Sequence, residues 1–496
     1  MFGSSFVDIL VSPMSLLLMF VSMIIGIVFG VLPGLSATIA IALFASITYS
    51  LDLYTALVIL FGIYIGAIYG GSISAILINI PGTGSAAATC LDGHPLALKG
   101  EAGNANMIAR SASVVGTFFG MLIFLFFTPL VTRLALLFTS PEFFWLAIFG
   151  ILICGSISNA DVNVKGWMSG FFGIILALVG IDDIYGFQRL TFGIPNLLSG
   201  IPFVPMTIAF FGLPQVVKVM KSNDQVEFAA IKKSEKKVNF FALIKQHFVK
   251  ILWWGALGVG IGAVPGVGEN IAAWVAYDDA RRSFPDKKFG EGAYEGVMAP
   301  ETANNAAIGG AIIPLISLGI PGSPPAAMML GALTMHGIKV GPLLSIEQPA
   351  IIPQIGAIIL WGTFFLFLCG IMVTKPMEKL LRVSRKILMP IIVVLCVVGT
   401  YAYENNPFHL VLVFVFGIIG YLFDKMQYSS AALVLGLILG NMADSYFRRA
   451  LFLSDGSVWI LFSNPLSLIF ALLCLWTVLK QFGVITKIKT CLRKEK

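Results

Sequence analysis

About a dozen apolar stretches of near-spanning length follow one another along this chain, separated by short polar intervals. They cover 13–49, 54–80, 107–131, 143–156, 167–179 and 202–219 in the first part. After a polar interval they resume over 251–276, 306–320, 350–373, 387–400, 408–423, 431–439 and 458–479. Of 496 residues, 58% are hydrophobic and 11% charged, with a mean hydropathy of +0.93. A soluble domain carries about 25% charged residues, and one soluble core cannot hold so many apolar segments. Lipid offers no partner to a bare peptide group, so the segments are expected to be helical. Several fall short of the ~20 residues that a spanning helix needs and read as broken or re-entrant helices. The expected fold is an all-α polytopic membrane protein.

The placement of charge is more informative than its sum of +7, from 32 Lys+Arg and 25 Asp+Glu. No lysine or arginine precedes Lys99. Basic residues then cluster at 218–250, 281–288, 375–386 and from Lys487 onward, the pattern of cytoplasmic loops. These clusters also contain acids and lie among membrane segments, which argues against a nucleic-acid partner. The start of the chain lacks a basic signal-peptide region, so the first apolar run is expected to be retained. Cys90, Cys154, Cys369, Cys396, Cys474 and Cys491 show neither zinc nor disulfide spacing and read as small core residues. Residues 218–250, with Lys232, Lys233, Glu235, Lys236 and Lys237, read as a cytoplasmic linker between halves 1–217 and 251–479, and 480–496 as a basic cytoplasmic tail. In 375–386, Lys375, Lys379, Arg382 and Lys386 have the spacing of a membrane-surface helix, or belong to an ordinary loop.

The chain repeats itself. GVLPGLSATIA (30–40) matches GAVPGVGENIA (262–272), with Pro33 and Pro265 separated by 232 residues. GG…NIPGTGSAAA (70–88) matches GG…GIPGSPPAA (309–327), with Pro81 and Pro321 separated by 240. Two motifs in the same order at nearly the same offset indicate a duplication. Lys250 and Arg281 flank the third Pro-Gly element, so both its ends are expected at the cytoplasmic face. From Ile251 to Pro265 a helix would rise only ~21 Å, short of the ~30 Å hydrocarbon layer. A re-entrant hairpin with Pro265-Gly266 near its tip is expected. The first element has no basic flank, which suits the opposite face. Opposite flanks on matching elements predict an inverted repeat, common among secondary transporters.

Proline removes a donor and clashes with the preceding helical turn, and glycine admits backbone conformations closed to other residues. Small polar residues follow each pair. Gly34, Ser36, Thr38, Gly82, Thr83, Ser85, Gly266, Gly322 and Ser323 are therefore candidate substrate ligands. A helix starting at such a break presents free N–H groups and the positive end of its dipole, which favours a carboxylate. A kink packed against a neighbour is the plainer reading of one such pair; four in symmetric positions weaken it.

Glu301, Asn304 and Asn305 share one face if their segment is helical. Ionisable groups within membrane segments are costly and usually functional. Together with Glu269 and Asn270 they could coordinate Na⁺ or exchange a proton. The alternative for Glu301 is helix capping at the interface, with Pro300 starting a helix. Asp92 and His94 look like a surface turn, with Lys99 and Glu101 solvated. His247, His336 and His409 are isolated, and Asp444, Arg448 and Arg449 read as an interfacial group. No nucleotide loop, zinc motif or nucleophile elbow is present, so no cofactor and no enzymatic activity are expected.

At these residues the sequence resembles the large membrane subunit of tripartite tricarboxylate transporters. The likeness lies in GGSISAILINIPGTGSAAATCLDGHPLALKGEAG (70–103) and FGEGAYEGVMAPETANNAAIGGAIIPLISLGIPGSPPAAMMLGAL (289–333). It extends to GVLPGLSATIA, LMPIIVVLCVVGTYA (388–402) and LGNMADSYFRRALFLSDGS (439–457). The resemblance implies a bacterial inner-membrane carrier, driven by a Na⁺ or H⁺ gradient without ATP. It also implies a small membrane subunit, a periplasmic solute-binding protein and an organic carboxylate substrate. Residues 79–85, with Asn79 as a further substrate ligand, and 319–323 would then supply the two halves of the substrate site. Thr302 stands where the family usually has serine, and Gly84 where it often has a bulkier residue or proline. A homodimer is a further assembly compatible with the sequence. Other classes are a stand-alone carrier or channel, an intramembrane enzyme, or a purely structural subunit, which would not need duplicated polar breaks.

Overall fold

The computed structural model describes residues 3–6, 12–157, 163–182, 184–221, 238, 240–381, 385–402 and 404–481. Its helices are α1 (Pro13–Val31), α2 (Ala37–Thr48), α3 (Leu53–Ile78), α4 (Ala87–Leu96), α5 (Ala102–Ala135), α6 (Ser140–Ile157) and α7 (Asn163–Ala177). There follow α8 (Phe203–Lys221, with a π-helical turn at Ile208–Gly212), α9 (Phe240–Gly262), α10 (Gly268–Ser283), α11 (Glu295–Leu318) and α12 (Pro324–Met335). The last are α13 (Ile351–Leu381), α14 (Arg385–Ala402), α15 (Phe408–Lys425), α16 (Ser430–Leu453) and α17 (Pro465–Gln481). Among the described residues seven helical stretches are long and apolar enough to cross a membrane, and shorter apolar helices are present as well. Among the described residues the exception to all-α is a pair of two-residue strands, β1 (Gly180–Ile181) and β2 (Gln188–Arg189), antiparallel with Gly180 opposite Arg189.

Each repeat begins with a hairpin. Polar caps start the helices: Ser36 accepts from the Ile39 N–H, and Asp52 from the Thr55 N–H. α1 and α3 pack side by side and run parallel. A Cβ added at Gly26 or Gly30 would fall 2.4 or 2.1 Å from the carbonyl oxygens of Ile63 and Ala67. With α1 and α3 parallel, α2 must carry the chain back to the side where α1 began. The turn between α1 and α2 holds Pro33 and Gly34, the latter at φ +97°, a conformation suited to glycine. The second repeat builds the same object. Cβ atoms at Gly258 and Gly262 would fall 2.2 and 2.5 Å from the oxygens of Ala303 and Ala307, and Gly266 turns the tip at φ +75°. The limbs of that hairpin lie antiparallel, since Lys250 reaches Ser283 Oγ at 2.6 Å and the Trp254 indole donates to Asp279 at 3.0 Å. These pairs keep the offsets of 232 and 240 residues seen in the sequence.

The repeats are inverted. Gly116 and Gly120 of α5 abut Thr302 and Ala306 of α11, so these helices run parallel. Gly362 and Gly370 of α13 abut Ile65 and Tyr69 of α3, again parallel, while α13 meets α5 through Gly370–Arg110 and Gly356–Leu125, antiparallel. It follows that α3 and its counterpart α11 point in opposite directions. Both are almost wholly buried, whereas α15 shows most of its apolar surface outward, as a lipid-facing helix would. A second apolar core joins α6 and α16 around Leu146, Ile151, Leu435 and Leu439.

Several expectations are corrected. The second repeat's hairpin starts before Ile251: α9 begins at Phe240, because Leu243, Ile244 and Phe248 give its lead-in an apolar side between Lys245 and Lys250. Of the anticipated linker, residues 222–237 and 239 lie outside the described residues, as do 482–496 of the tail. Lys375 and Lys379 belong to the continuous helix α13 and form no separate surface helix; 382–384 lie outside the described residues. Cys90, Cys369, Cys396 and Cys474 are buried free thiols.

Asp92 is no surface turn. It is fully buried on α4, and its Oδ1 accepts the N–H groups of Gly290, Gly292 and Ala293 at 2.9, 2.8 and 2.7 Å. Its Oδ2 accepts the Tyr277 hydroxyl at 2.9 Å. One carboxylate thus fixes the loop between α10 and α11 to the first repeat. Lys99 and Glu101 also face this loop, Lys99 donating to the Glu291 carbonyl and Glu101 accepting from Tyr294. In Asp92→Asn the charge that draws the three loop N–H groups is lost and an NH2 replaces the oxygen that accepts from Tyr277, and a stability loss of about 3 kcal/mol is expected. It should appear as a lower unfolding midpoint of the detergent-purified protein; an unchanged midpoint would show that the loop is held elsewhere.

Candidate functional site

The broken elements of both repeats meet at a cavity of about 510 Å³. The first repeat contributes Gly34, Ser36 and Thr38 from the α1–α2 turn, and Gly82, Thr83 and Ser85 from the turn after α3. The second contributes Glu269 and Asn270 from the start of α10, with Pro324 and Pro325 at the start of α12. Eight of the predicted polar-break residues thus share one cavity wall. Both turns fold back into the helical layer: the Gly82 N–H points to the Gly71 carbonyl at 3.5 Å, and its counterpart Gly322 to that of Ala311 at 3.3 Å. Thr83 and Ser85 hydroxyls lie 3.0 Å apart.

The remaining candidates stand elsewhere. Asn79 and Gly319 are equivalent left-handed residues closing α3 and α11, with φ of 54° and 74°. Gly266 turns a hairpin tip, and Gly322 passes against the Gly262 carbonyl. Neither Asn79, Gly266 nor Gly322 is a lining residue of the cavity. Ser323 sits behind it. Its hydroxyl donates to Glu269 Oε1 at 2.9 Å and caps α12 through the Ala326 N–H at 3.3 Å. The Tyr64 hydroxyl, from α3 of the first repeat, also donates to Glu269 Oε1 and lies 3.0 Å from Ser323 Oγ. All three side chains are buried. Tyr64 escaped the sequence reading because it lies in an unbroken apolar run. Placing it on its repeat partner, Asn304, would have singled it out as a polar position on a core helix.

Glu301, Asn304 and Asn305 form a second group. Helix α11 begins at Glu295 and carries Pro300 in its interior, so Glu301 is a mid-helix residue and not an interfacial cap. Its carboxylate accepts from the Thr89 hydroxyl at 2.5 Å and lies 3.2 Å from Ser113 Oγ. Asn305 donates to Asn304 Oδ1 at 2.7 Å and to the Glu301 carbonyl at 3.0 Å, and Thr117 Oγ1 lies 3.4 Å from Asn305 Oδ1. All six are fully or almost fully buried. The ensemble is one carboxylate among neutral oxygens from α4, α5 and α11. That donor set suits a small hard cation or a proton. Among the described residues no group of three or more His, Cys, Asp and Glu could hold a metal ion.

At the far ends of α12 and α16 lies a larger cavity of about 730 Å³, whose wall includes Tyr49, Thr334, Asn441, Ser445 and Arg449. Beside it Asp444 and Arg448 join a network with Asp182 and Arg189 that ties the β1–β2 segment to α16. Arg189 meets Asp444 at 2.8 Å, and Arg448 meets Asp444 and Asp182 at 2.9 Å each. The anticipated interfacial group is therefore a four-charge network, with Arg449 outside it. His247 pairs with Glu295 at 3.3 Å, and His409 with Glu404 at 3.5 Å.

Residues 16–435 match the family described as Tripartite tricarboxylate transporter TctA family. The chain is 35% identical over 461 residues to a protein of Agrobacterium vitis described as "Uncharacterized 52.8 kDa protein in TAR-I ttuC' 3'region", covering 92% of this chain and 91% of that one. A second Agrobacterium vitis protein, "Uncharacterized protein in TAR-II ttuC' 3'region", is 35% identical over 208 residues, 42% of this chain and 86% of its own length. No solved structure matches. With its family match spanning both repeats and the polar cavity between them, this multi-pass membrane protein belongs to the tripartite tricarboxylate transporter TctA family.

Proposed function

We propose that the chain is the large membrane subunit of a binding-protein-dependent carrier that imports an organic carboxylate across a bacterial inner membrane, driven by a Na⁺ or proton gradient. The observation that carries this reading is the cavity where four broken elements of an inverted repeat converge with small polar residues and helix starts. Such breaks suit anions because unpaired N–H groups and helix dipoles replace the solute's water. The coupling cation is assigned to Glu301, Asn304 and Asn305 with the hydroxyls of Thr89, Ser113 and Thr117. Glu269 is held by Tyr64 and Ser323 at the cavity wall and is left out of that set. The halves are taken as 1–217 and 251–479, joined by 218–250 at the cytoplasmic face, where Lys250, Arg281, Lys287 and Lys288 lie. Partners are a small membrane subunit and a periplasmic solute-binding protein presenting the solute at the other face.

The test is reconstitution with those two partners into liposomes, using labelled citrate, succinate and malate under imposed Na⁺ or proton gradients. Accumulation of one of them above its outside concentration, abolished by collapsing one gradient, is expected. Flux that only equilibrates, and does not saturate, would make the protein a channel.

A further inference from the structure

The two repeats are not equivalent where they meet the cavity. By the repeat offsets, Ser36, Ala37 and Thr38 correspond to Gly268, Glu269 and Asn270, while Thr83, Gly84 and Ser85 correspond to Ser323, Pro324 and Pro325. At the start of α12, in the second repeat, the donors that would receive an anion are missing or taken. Pro324 and Pro325 fill the first two positions of α12 and carry no N–H. The third N–H, of Ala326, goes to Ser323 Oγ. Glu269 then sets its own carboxylate against the Ser323 and Tyr64 hydroxyls.

The first repeat has neither the paired prolines nor the acid. Its α2 has no acid in the first turn, since Ala37 stands where the second repeat has Glu269. Thr38 is 5% exposed, lines the cavity, and its hydroxyl has no hydrogen-bond partner among the described residues. That hydroxyl belongs to a lining residue of the cavity and is left available to a bound anion. Gly84 and Ser85 keep their backbone N–H groups where the second repeat has prolines. The Asn270 amide closes over that turn, so that a Cβ at Gly84 would fall 2.8 Å from its Nδ2. The charged side chains lining the cavity are Glu269 and Lys218, the latter paired with Asp424 at 3.6 Å.

We infer that the cavity is a one-sided anion site. The solute's carboxylate is held by the first repeat, at Ser36–Thr38 with the Pro81–Ser85 turn opposite, while Glu269 occupies the equivalent place in the second repeat as a built-in anion. This rests on the carboxylate-carrier reading for the identity of the solute, though not for the polarity of the site. An anion entering by the second repeat would meet the charge of Glu269, so the solute is oriented as well as bound.

Thr38 and Asn270 are repeat partners lining the same cavity, which supplies a symmetric test. Thr38→Cys and Asn270→Cys are each made in the full chain, and their rates of modification by the anionic 2-sulfonatoethyl and the cationic 2-(trimethylammonium)ethyl methanethiosulfonates are measured. Each rate is divided by that of a small free thiol, after subtraction of the unsubstituted protein. The anion-to-cation preference at position 38 is expected to exceed that at 270 by about tenfold or more. Adding Glu269→Gln should raise the preference at 270 and leave that at 38 unchanged. Equal preferences, a higher one at 270, or no reaction at 38 overturns the inference. Citrate, succinate and malate uptake by the unsubstituted protein is scored separately. If uptake fails while the preferences hold, the carboxylate reading falls and the one-sided anion site stands.

Discussion

Replacing Glu301 with glutamine is expected to lower gradient-driven carboxylate accumulation by about a hundredfold, equivalent to ~2.7 kcal/mol, while the protein still folds and inserts. Glu301 is fully buried on α11, and among the described residues it has no ion-pair partner. Its neighbours are hydroxyls and amides: Thr89, Ser113, Asn304 and Asn305. A bare carboxylate in such a place would cost several kcal/mol. A proton or a bound cation removes that cost, and glutamine mimics the neutral form at nearly the same volume. The two coupling ions then separate in a second assay. If a proton is the partner, the glutamine variant is locked in the loaded state, so exchange of labelled for unlabelled carboxylate persists while net uptake is lost. If Na⁺ is the partner, the amide supplies one neutral oxygen for a charged one and both activities fall. Net accumulation within twofold of the unsubstituted protein would remove Glu301 from the coupling site.

Much of this arrangement was legible in the chain because it is written twice. Proline and glycine act locally, so PG at residues 33–34, 81–82, 265–266 and 321–322 announces breaks wherever the neighbouring helices pack. The offsets of 232 and 240 then recur in the packing itself, as Gly30 against Ala67 and Gly262 against Ala307. What stayed hidden is the choice of partner. Thr89 and Ser113 reach Glu301 from 212 and 188 residues away, and Tyr64 reaches Glu269 across 205. Hydropathy reports which residues leave water but not which helix they will face. The start of α11 was missed for a related reason. Glu301, Asn304 and Asn305 lower the local hydropathy, yet α4 and α5 answer their polarity from outside the segment. Asp92 followed the same logic: a lone acid beside glycine looks like a turn until three N–H groups from 198–201 residues away close on it.

Alanine at Gly82 or at Gly322 is expected to abolish the folded protein, through loss of more than about 4 kcal/mol. The added Cβ would fall 1.8 Å from the Gly30 carbonyl oxygen in the first case and 2.0 Å from that of Gly262 in the second. Both obstacles are backbone, so no rotamer change relieves them, and overpacking a buried crossing already costs about 1–3 kcal/mol when side chains can move. The yield of monodisperse protein in size exclusion and its resistance to proteolysis are the measurements. Gly260 is the control, because it lies in α9 with nothing within 4 Å of its Cβ. Gly260→Ala should fold normally, and even gain about 0.5–1 kcal/mol from the lower entropy of the unfolded chain. The pair also limits what transport assays can say. A substitution at Gly82 or Gly322 that stops uptake reports first on the crossing of α1 or α9 with the turn behind it, even though Gly82 also lines the cavity. Both positions should therefore behave alike. If Gly82→Ala were tolerated and Gly322→Ala were not, the two crossings would differ in depth, and the inverted symmetry would hold for the sequence without holding for the packing.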